Sequence, residues 1–427
     1  MRPTVRLEHE LLTVQQQHRV AAMLELHAPP APVAERPPLN LALVVDESGS
    51  MSGEKIATVR RCARFLVERL RPTDRLAIVG FDTSVRLHTG LGVVRRDAAL
   101  AAVDHLRAGS MTNLSGGWLK GVEELGRLET ADPRKVLLLS DGHANQGVTD
   151  RDRLATMVVG AVGKGIGTTT IGFGDGFDED LMTGMADAGC GTAHYAATIE
   201  DAPEIFAAEF DDLASTVAHN VSVEIRPTDD VKLLGVLNDY PTTEVIGGIH
   251  VQLGDTFGDE VRRLVFELHI PHLADLGERR VADVITRYAT IGDRAELREV
   301  TIPIMVNAVD EAAASGAPVD RGVTEQVTTL RAAVSRRRAQ RLADEGHFAE
   351  AETELASSLG ALQAAAAVSP APDGLLADVR QLEYNRQSMR ERRWSAVDRK
   401  RMHYEAHHTS KSRRRVEREQ PHQPEER

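Results

Sequence analysis

A chain of 427 residues, 42% of them hydrophobic, is long enough for two or three domains, and none of its apolar runs reaches the roughly eighteen residues that a bilayer span needs. Its 64 acidic side chains against 51 Lys and Arg leave a net charge of −13, which disfavours a general nucleic-acid binder although the sign is unevenly spread. Two cysteines in unlike settings, Cys62 and Cys190, give neither a disulfide framework nor a zinc spacing, and the charged N-terminus has no signal-peptide core, so the expected location is the cytoplasm.

Residues 1–36 read as two strands, an alternating Val5–Leu11 and the more apolar Arg19–Leu26, running into prolines at 29, 30, 32, 37 and 38 that mark an extended linker. Two strands alone make no stable sheet, so their partners must lie elsewhere. From residue 39 to 218 strand and helix alternate. The apolar strand Leu41–Val45 ends in Asp46-Glu-Ser48-Gly-Ser50-Met51, and a helix over Glu54–Leu70 follows, with Ile56, Val59, Ala63, Leu66 and Val67 at helical spacing. Leu76–Phe81 is the next strand and Val85–His88 an edge strand. A helix near Ala98–Leu106 leads to the hydroxyl- and glycine-rich loop Gly109–Gly117, then a helix to Leu128. Val136–Ser140 is a strand ending at Asp141, before Gly142. After it come a helix (150–162), a strand (168–173), a helix (178–188), a short strand (194–196) and a helix (202–217). Right-handed crossovers of this kind build a doubly wound, mostly parallel, Rossmann-like α/β sheet. The acidic stretch Gly172–Asp180 lacks the order of a calcium loop and reads as a turn with the N-terminal acids of a helix.

From Asn220 to about Val306 the period changes to two, giving six strands at sandwich spacing. The expected organisation is an antiparallel β-sandwich of residues 1–36 plus 219–308 with the α/β domain, 39–218, inserted between its strands. A helical region, 309–385, and a basic, partly disordered tail, 386–427, follow. Gln326–Glu345 and Gly346–Leu355 form a hairpin in that region. Part of it is similar to half of a tetratricopeptide repeat, but one unit cannot bury its own face, so packing on the sandwich is expected. In the tail, Arg386, Arg390, Arg399, Lys400 and their basic neighbours read as a solvated arm, with Trp394 and Tyr404 leaving a nucleic-acid or acidic-protein contact open. His403 and His407 read as solvent-facing.

The chemistry gathers at strand ends. In an open parallel sheet ligands sit beyond the carboxyl ends of the strands, which is where Asp46, Ser48 and Ser50 fall, with Thr112 and Asp141 on two later loops. All five side chains offer oxygen, the donor a hard divalent cation takes. A lone D-x-S-x-S also serves as a turn with a helix cap. The stretch Gly49–Lys55 lacks the spacing of a phosphate loop, and Ser48 stands where haloacid-dehalogenase-like phosphoryl transfer needs a second acid.

Taken in order, the D-x-S-x-S, the later threonine and the later aspartate resemble the metal-ion-dependent adhesion site of von Willebrand factor type A domains. The resemblance implies that Ser48, Ser50 and Thr112 bind the ion directly, with Asp46 and Asp141 acting partly through water. It implies Mg²⁺, with Mn²⁺ or Ca²⁺ also compatible, and one coordination position open for an Asp or Glu of a partner protein. Met51, His143, Asn145 and Gln146 are expected to form the rim and contribute partner specificity, and Glu47 to point away or into solvent. Bacterial proteins similar to inter-α-trypsin inhibitor heavy chains and so-called calcium-activated chloride channel proteins look alike over about the first three quarters of the chain. An AAA-type ATPase, common beside such bacterial proteins, is a further candidate partner. The function expected is therefore a metal-dependent protein–protein interaction module, not an enzyme. The alternative is a metal-dependent hydrolase or phosphoryl-transfer enzyme using His143 or Glu47 as base, and neither residue sits in a recognisable catalytic arrangement.

Overall fold

The computed structural model describes the chain apart from residues 32–35, 131, 142, 175, 199, 292–295 and 416–427. Part of the proline linker, Gly142 and the end of the basic tail thus lie outside the described residues. The chain begins with β1 (Arg2–Leu7), β2 (Leu11–Thr13) and β3 (His18–His27), then enters β4 (Asn40–Asp46), α1 (Glu54–Arg69), β5 (Arg75–Phe81), β6 (Val85–Val93), α2 (Arg96–Asp104) and α3 (Leu114–Gly126). It continues through β7 (Arg134–Ser140), α4 (Arg151–Val162), β8 (Ile166–Phe173), α5 (Glu179–Ala188), β9 (Cys190–Ala196) and α6 (Ala202–Ala214).

Strands β4 to β9 make a six-stranded sheet in the order β6-β5-β4-β7-β8-β9, parallel except for the edge strand β6. Every residue of β4 is buried, because one cluster (Leu41, Leu43, Val45 with Val59 and Leu66 of α1) covers one face and another (Ala42, Val44 with Leu114 and Trp118 of α3) covers the other. An apolar run without alternation is what a strand covered on both faces requires. From β4 the chain crosses to β5 on one side, and later returns to β7 on the other. The crevice between the ends of β4 and β7 is therefore the topological switch point, where open α/β sheets bind ligands.

The chain then forms β10 (Thr216–Pro227), β11 (Lys232–Val236), β12 (Thr242–Val245), β13 (Gly248–Phe257), β14 (Glu260–Ile270), β15 (Gly277–Thr290) and β16 (Leu297–Val309). The N-terminal strands find partners here: β1 and β3 extend a sheet with β14 and β11, while β2 adds in parallel to β16 in the sheet β12-β13-β10-β15-β16-β2. Leu24, Leu26, Val223, Phe266 and Val284 belong to the core between the two sheets. The α/β domain leaves from the end of β3 and returns at the start of β10, strands of opposite sheets.

The C-terminal part contains α7 (Glu311–Ser315), α8 (Arg321–Asp344), α9 (Phe348–Val368), α10 (Asp373–Arg390), α11 (Ala396–Lys411) and β17 (Arg413–Arg415), which pairs with β14. Val323, Val327 and Leu330 of α8 pack on Met23 and Val265 of the sandwich, and α9 and α10 stack on α8 through Leu362 and Leu382. Among the described residues no helix is long and apolar enough to cross a membrane.

The tail expectation is corrected over residues 386–415. Instead of a solvated arm, α11 is an ordered helix opened by a capping box between Ser395 and Asp398, with Lys400, Met402, Tyr404 and His407 buried. The reason is charge matching across distance. Arg386 and Arg390 meet Glu352, Arg399 and Lys400 meet Glu179, and Lys411 meets Asp187. A basic run reads as solvated unless the acids that neutralise it are seen, and these lie far away in sequence.

His407 is correspondingly not solvent-facing. Burial, with the Lys411 charge adding, holds its imidazole well below the ordinary histidine range. Ligand atoms of Asp187, Asp239 and His407 lie within 4.8 Å of one another. Both carboxylates already carry a cation, Lys411 at 2.8 Å and Arg337 at 2.6 Å, so the cluster is an ion-pair junction between the α/β domain, the sandwich and the helices.

Candidate metal centre

Asp46 closes β4, and its carboxylate folds back on the turn that follows. Oδ1 accepts the Ser48 N–H at 2.8 Å and Oδ2 accepts the Ser140 hydroxyl from the end of β7. A single 3₁₀ turn over Gly49–Met51 then sets the Ser48 and Ser50 hydroxyls 3.0 Å apart, and Ser50 donates to Asp141 Oδ1 at 2.7 Å. The other Asp141 oxygen accepts from the ammonium of Lys55. Four of the five expected ligands thus form one connected set.

The loop that carries Thr112 is tied by its backbone to the turn that carries Ser48 and Ser50. The Gly109 N–H donates to the Glu47 carbonyl, and the Gly49 N–H donates to the Ser110 carbonyl at 2.9 Å. A Cβ at position 109 would stand 2.2 Å from Asp82 Oδ2, so this close approach of loops requires glycine there. On its far side, buried Thr112 donates its N–H to Asn145 Oδ1 at 2.9 Å and accepts at its carbonyl from the N–H groups of Asn145 and Gln146 at 3.2 and 3.3 Å. The loop is clamped between the serine turn and the segment after Asp141.

Two expectations are corrected. Met51 is not a rim residue: it is fully buried in the core cluster with Ile56 and Val59, because the tight turn after β4 directs it back under the sheet. Met111, exposed and with its Sδ 3.3 Å from Gln146 Nε2, is the methionine at this edge. Nor does Glu47 point into solvent. It is 1% exposed, Oε1 accepts the Arg107 N–H at 2.8 Å, and Oε2 takes Arg86 at 2.9 Å and His88 at 3.2 Å. Burial alone would raise this carboxyl, but the His88 and Arg107 hydrogen bonds and the Arg86 contact outweigh it and hold it below the ordinary range. Glu47 braces β4 against β6 and the loop leading to Thr112. The sequence did carry a signal for it: a Cβ on Gly80, inside strand β5, would lie 2.1 Å from Glu47 Oε2, and a glycine inside an apolar strand marks a close approach.

His143 is exposed at the edge, as a rim residue would be. Asn145 has an additional role, since its amide oxygen fixes Thr112. Asn145→Ala is expected to weaken divalent-ion binding by roughly tenfold, as loss of a group that orients a ligand does, while costing about 1 kcal/mol of stability. Calorimetric titration with Mn²⁺ and urea unfolding check the two figures.

The electrostatics favour a cation. Burial pushes the Asp46 carboxyl up and the neighbouring Asp141 charge adds to it, against the lowering effect of the Ser140 and Ser48 hydrogen bonds. The charged form of Asp46 is therefore disfavoured by its surroundings, a cost that a bound cation would offset. The spacing fits as well. Adjacent ligands of an octahedral ion with bonds of about 2.1 Å stand about 3.0 Å apart; the Ser48 and Ser50 hydroxyl oxygens are 3.0 Å apart, and Asp141 orients Ser50 through its hydrogen bond. Hydroxyl and carboxylate oxygens are the donor set of a hard ion, and Lys55 already puts a positive charge on one of them.

Fold and site together define a doubly wound α/β domain with a cluster of oxygen-bearing side chains at its switch point, carried on a β-sandwich. Residues 40–208 match the sequence model of the von Willebrand factor type A domain, to which the α/β part of the chain is therefore similar. Such domains typically bind divalent metal ions at a site of this type and mediate protein–protein interactions. Over 264 residues the chain is 30% identical to the uncharacterized protein sll0103 of Synechocystis sp., spanning 59% of this chain and 62% of that one. It is 29% identical over 205 residues to inter-alpha-trypsin inhibitor heavy chain H1 of Homo sapiens, spanning 46% of this chain and 22% of that one. The chain thus covers less than two thirds of either curated relative. A solved structure, von Willebrand factor type A from Catenulispora acidiphila, matches with a TM-score of 0.73 over 97% of both chains at 14% identity, which shows the fold.

Proposed function

We propose that this chain is a cytoplasmic interaction module in which a divalent ion, Mg²⁺ with Mn²⁺ or Ca²⁺ as alternatives, joins it to an acidic side chain of a partner protein. Asp46, Ser48, Ser50, Thr112 and Asp141 would hold the ion, whose chemistry is to offer an open coordination position to a carboxylate. The observation that carries the reading is the convergence of Asp46, Ser48, Ser50 and Asp141, from the ends of β4 and β7, into one hydrogen-bonded set at the sheet's switch point. Ser140 and the Ser48 amide keep Asp46 aimed, Asn145 positions the Thr112 backbone, and exposed Met111 and His143 are available to contact the partner around the ion. A carboxylate–cation contact shielded from water is strong and directional.

A non-enzymatic role is part of this proposal. Of the two candidate bases for a hydrolytic mechanism, Glu47 has both oxygens engaged in bracing the loops, and His143 sits in no recognisable catalytic arrangement. An AAA-type ATPase is one candidate partner. The test is capture of partners from native lysate by the full chain with Mg²⁺ or with EDTA. The expected result is a partner retained with Mg²⁺ and lost with EDTA and in Ser50→Ala. A partner that binds Ser50→Ala in EDTA as well as it binds the wild type in Mg²⁺ would sink the reading.

A further inference from the structure

Lys55 lies in the first turn of α1 and sends its ammonium over the serine turn to Asp141 Oδ2, while Asp141 Oδ1 accepts from Ser50. The Asp141 carboxylate is wholly shielded, whereas the Lys55 side chain is 33% exposed. Among the described residues this is the cation that touches either carboxylate of the centre. It lies beside the oxygen set that fits a divalent ion, and an ammonium on Oδ2 and an ion near Oδ1 of one shielded carboxylate would repel each other within a few ångströms, so each weakens the binding of the other. The lysine also has somewhere to go. The turn after β8 runs alongside its stem, since a Cβ on Gly174 would stand 3.8 Å from Lys55 Cε and Nζ, but a third of the side chain is already exposed and gives the ammonium a way to water. A flexible four-carbon stem can carry the ammonium out into water at little cost.

We propose that Lys55 is an exchangeable counter-ion of the metal centre: its ammonium neutralises Asp141 in the ion-free protein and leaves when a divalent ion enters, so that Lys55 sets the ion concentration at which the centre fills. This rests on reading Asp46, Ser48, Ser50 and Asp141 as a divalent-ion site. The exchange forms and breaks only ionic contacts. The ion-free state is stabilised by the lysine, and occupancy must be won against it, so a protein whose partner binding needs the ion responds to the ion level rather than remaining permanently loaded.

The test compares the full chain with Lys55→Met and with Lys55→Gln, which keeps a donor without the charge, by calorimetric titration with Mg²⁺ and Mn²⁺ and by thermal melting with and without each ion. The expected result is roughly five- to fiftyfold tighter ion binding in both variants, the range for loss of a competing charged hydrogen bond at a partly exposed position. Both variants should also melt below the wild type without ion and be raised more by the ion, as linkage requires. If the wild type binds the ion and the variants bind it equally or more weakly, Lys55 is a structural ion pair and the proposal fails while the site reading stands. If neither the wild type nor the variants show heat or a melting shift with millimolar ion, the site reading itself fails and takes this proposal with it.

Discussion

Replacing Asp141 with alanine is expected to abolish divalent-ion binding, lowering affinity by at least roughly 100-fold while leaving the fold intact. The fold is insensitive because Asp141 lies beyond the last residue of β7, so the apolar strand Val136–Leu139 and its two covering clusters are untouched. Ion binding is sensitive because Asp141 contributes one of two carboxylates and is the group against which the Ser50 hydroxyl is oriented. Loss of a group that merely orients a ligand costs 10- to 100-fold in affinity, and loss of a charged member of the set costs at least the upper end. Titration with Mn²⁺ measures the first expectation, and circular dichroism the second. Unchanged Mn²⁺ affinity in a folded Asp141→Ala protein would show that the ion, if it binds, sits elsewhere.

The largest stability effect is expected from Lys400→Met, about 3–5 kcal/mol in urea unfolding. Lys400 on α11 is 1% exposed and Glu179 at the start of α5 is 2% exposed, with Nζ to Oε2 at 2.6 Å. The ammonium also donates to the Phe177 carbonyl and sits 4.2 Å from the centre of the Phe177 ring. Removing the lysine leaves a buried carboxylate whose remaining cation among the described residues is Arg399, itself 37% exposed. Paired replacement, Lys400→Met with Glu179→Leu, should recover most of the loss, because breaking a buried pair costs more than omitting it.

The same pair predicts a pH dependence. Burial alone would raise the Glu179 carboxyl, but the Lys400 hydrogen bond and the charges of Lys400 and Arg399 outweigh it and hold it below its ordinary value. A carboxyl depressed in the folded state contributes stability that is fully present above the unfolded value, about 4.5, and is lost as pH falls through the folded value. The gap between wild type and Lys400→Met should therefore narrow as pH drops below about 4.5, measured as the difference in urea midpoints. A constant gap would mean that packing, not charge, accounts for the effect.

Much of the candidate centre was legible because its candidate ligands sit at strand ends. An apolar run that stops at Asp46 and another that stops at Ser140-Asp141 declare buried strands, and strand ends in such a sheet converge on one edge. Met51 and Glu47 misled for a local reason. Their neighbours in sequence are candidate ligands, yet one tight turn sends Met51 into the core and the loop contacts draw Glu47 under Arg86 and His88. A pattern of alternating ligands carries no information on where the residues between them point.

The order of apolar runs and the composition of their ends determined by themselves that a doubly wound sheet would form and which oxygens would meet at its crevice, since burial periodicity and turn chemistry are properties of short stretches. Only the tertiary structure decided that Lys55 lies on Asp141 and that the basic C-terminal segment folds as a helix clamped to Glu179 and Asp187. Pairing of charges depends on which distant surfaces packing brings within a few ångströms, and no local pattern encodes that distance.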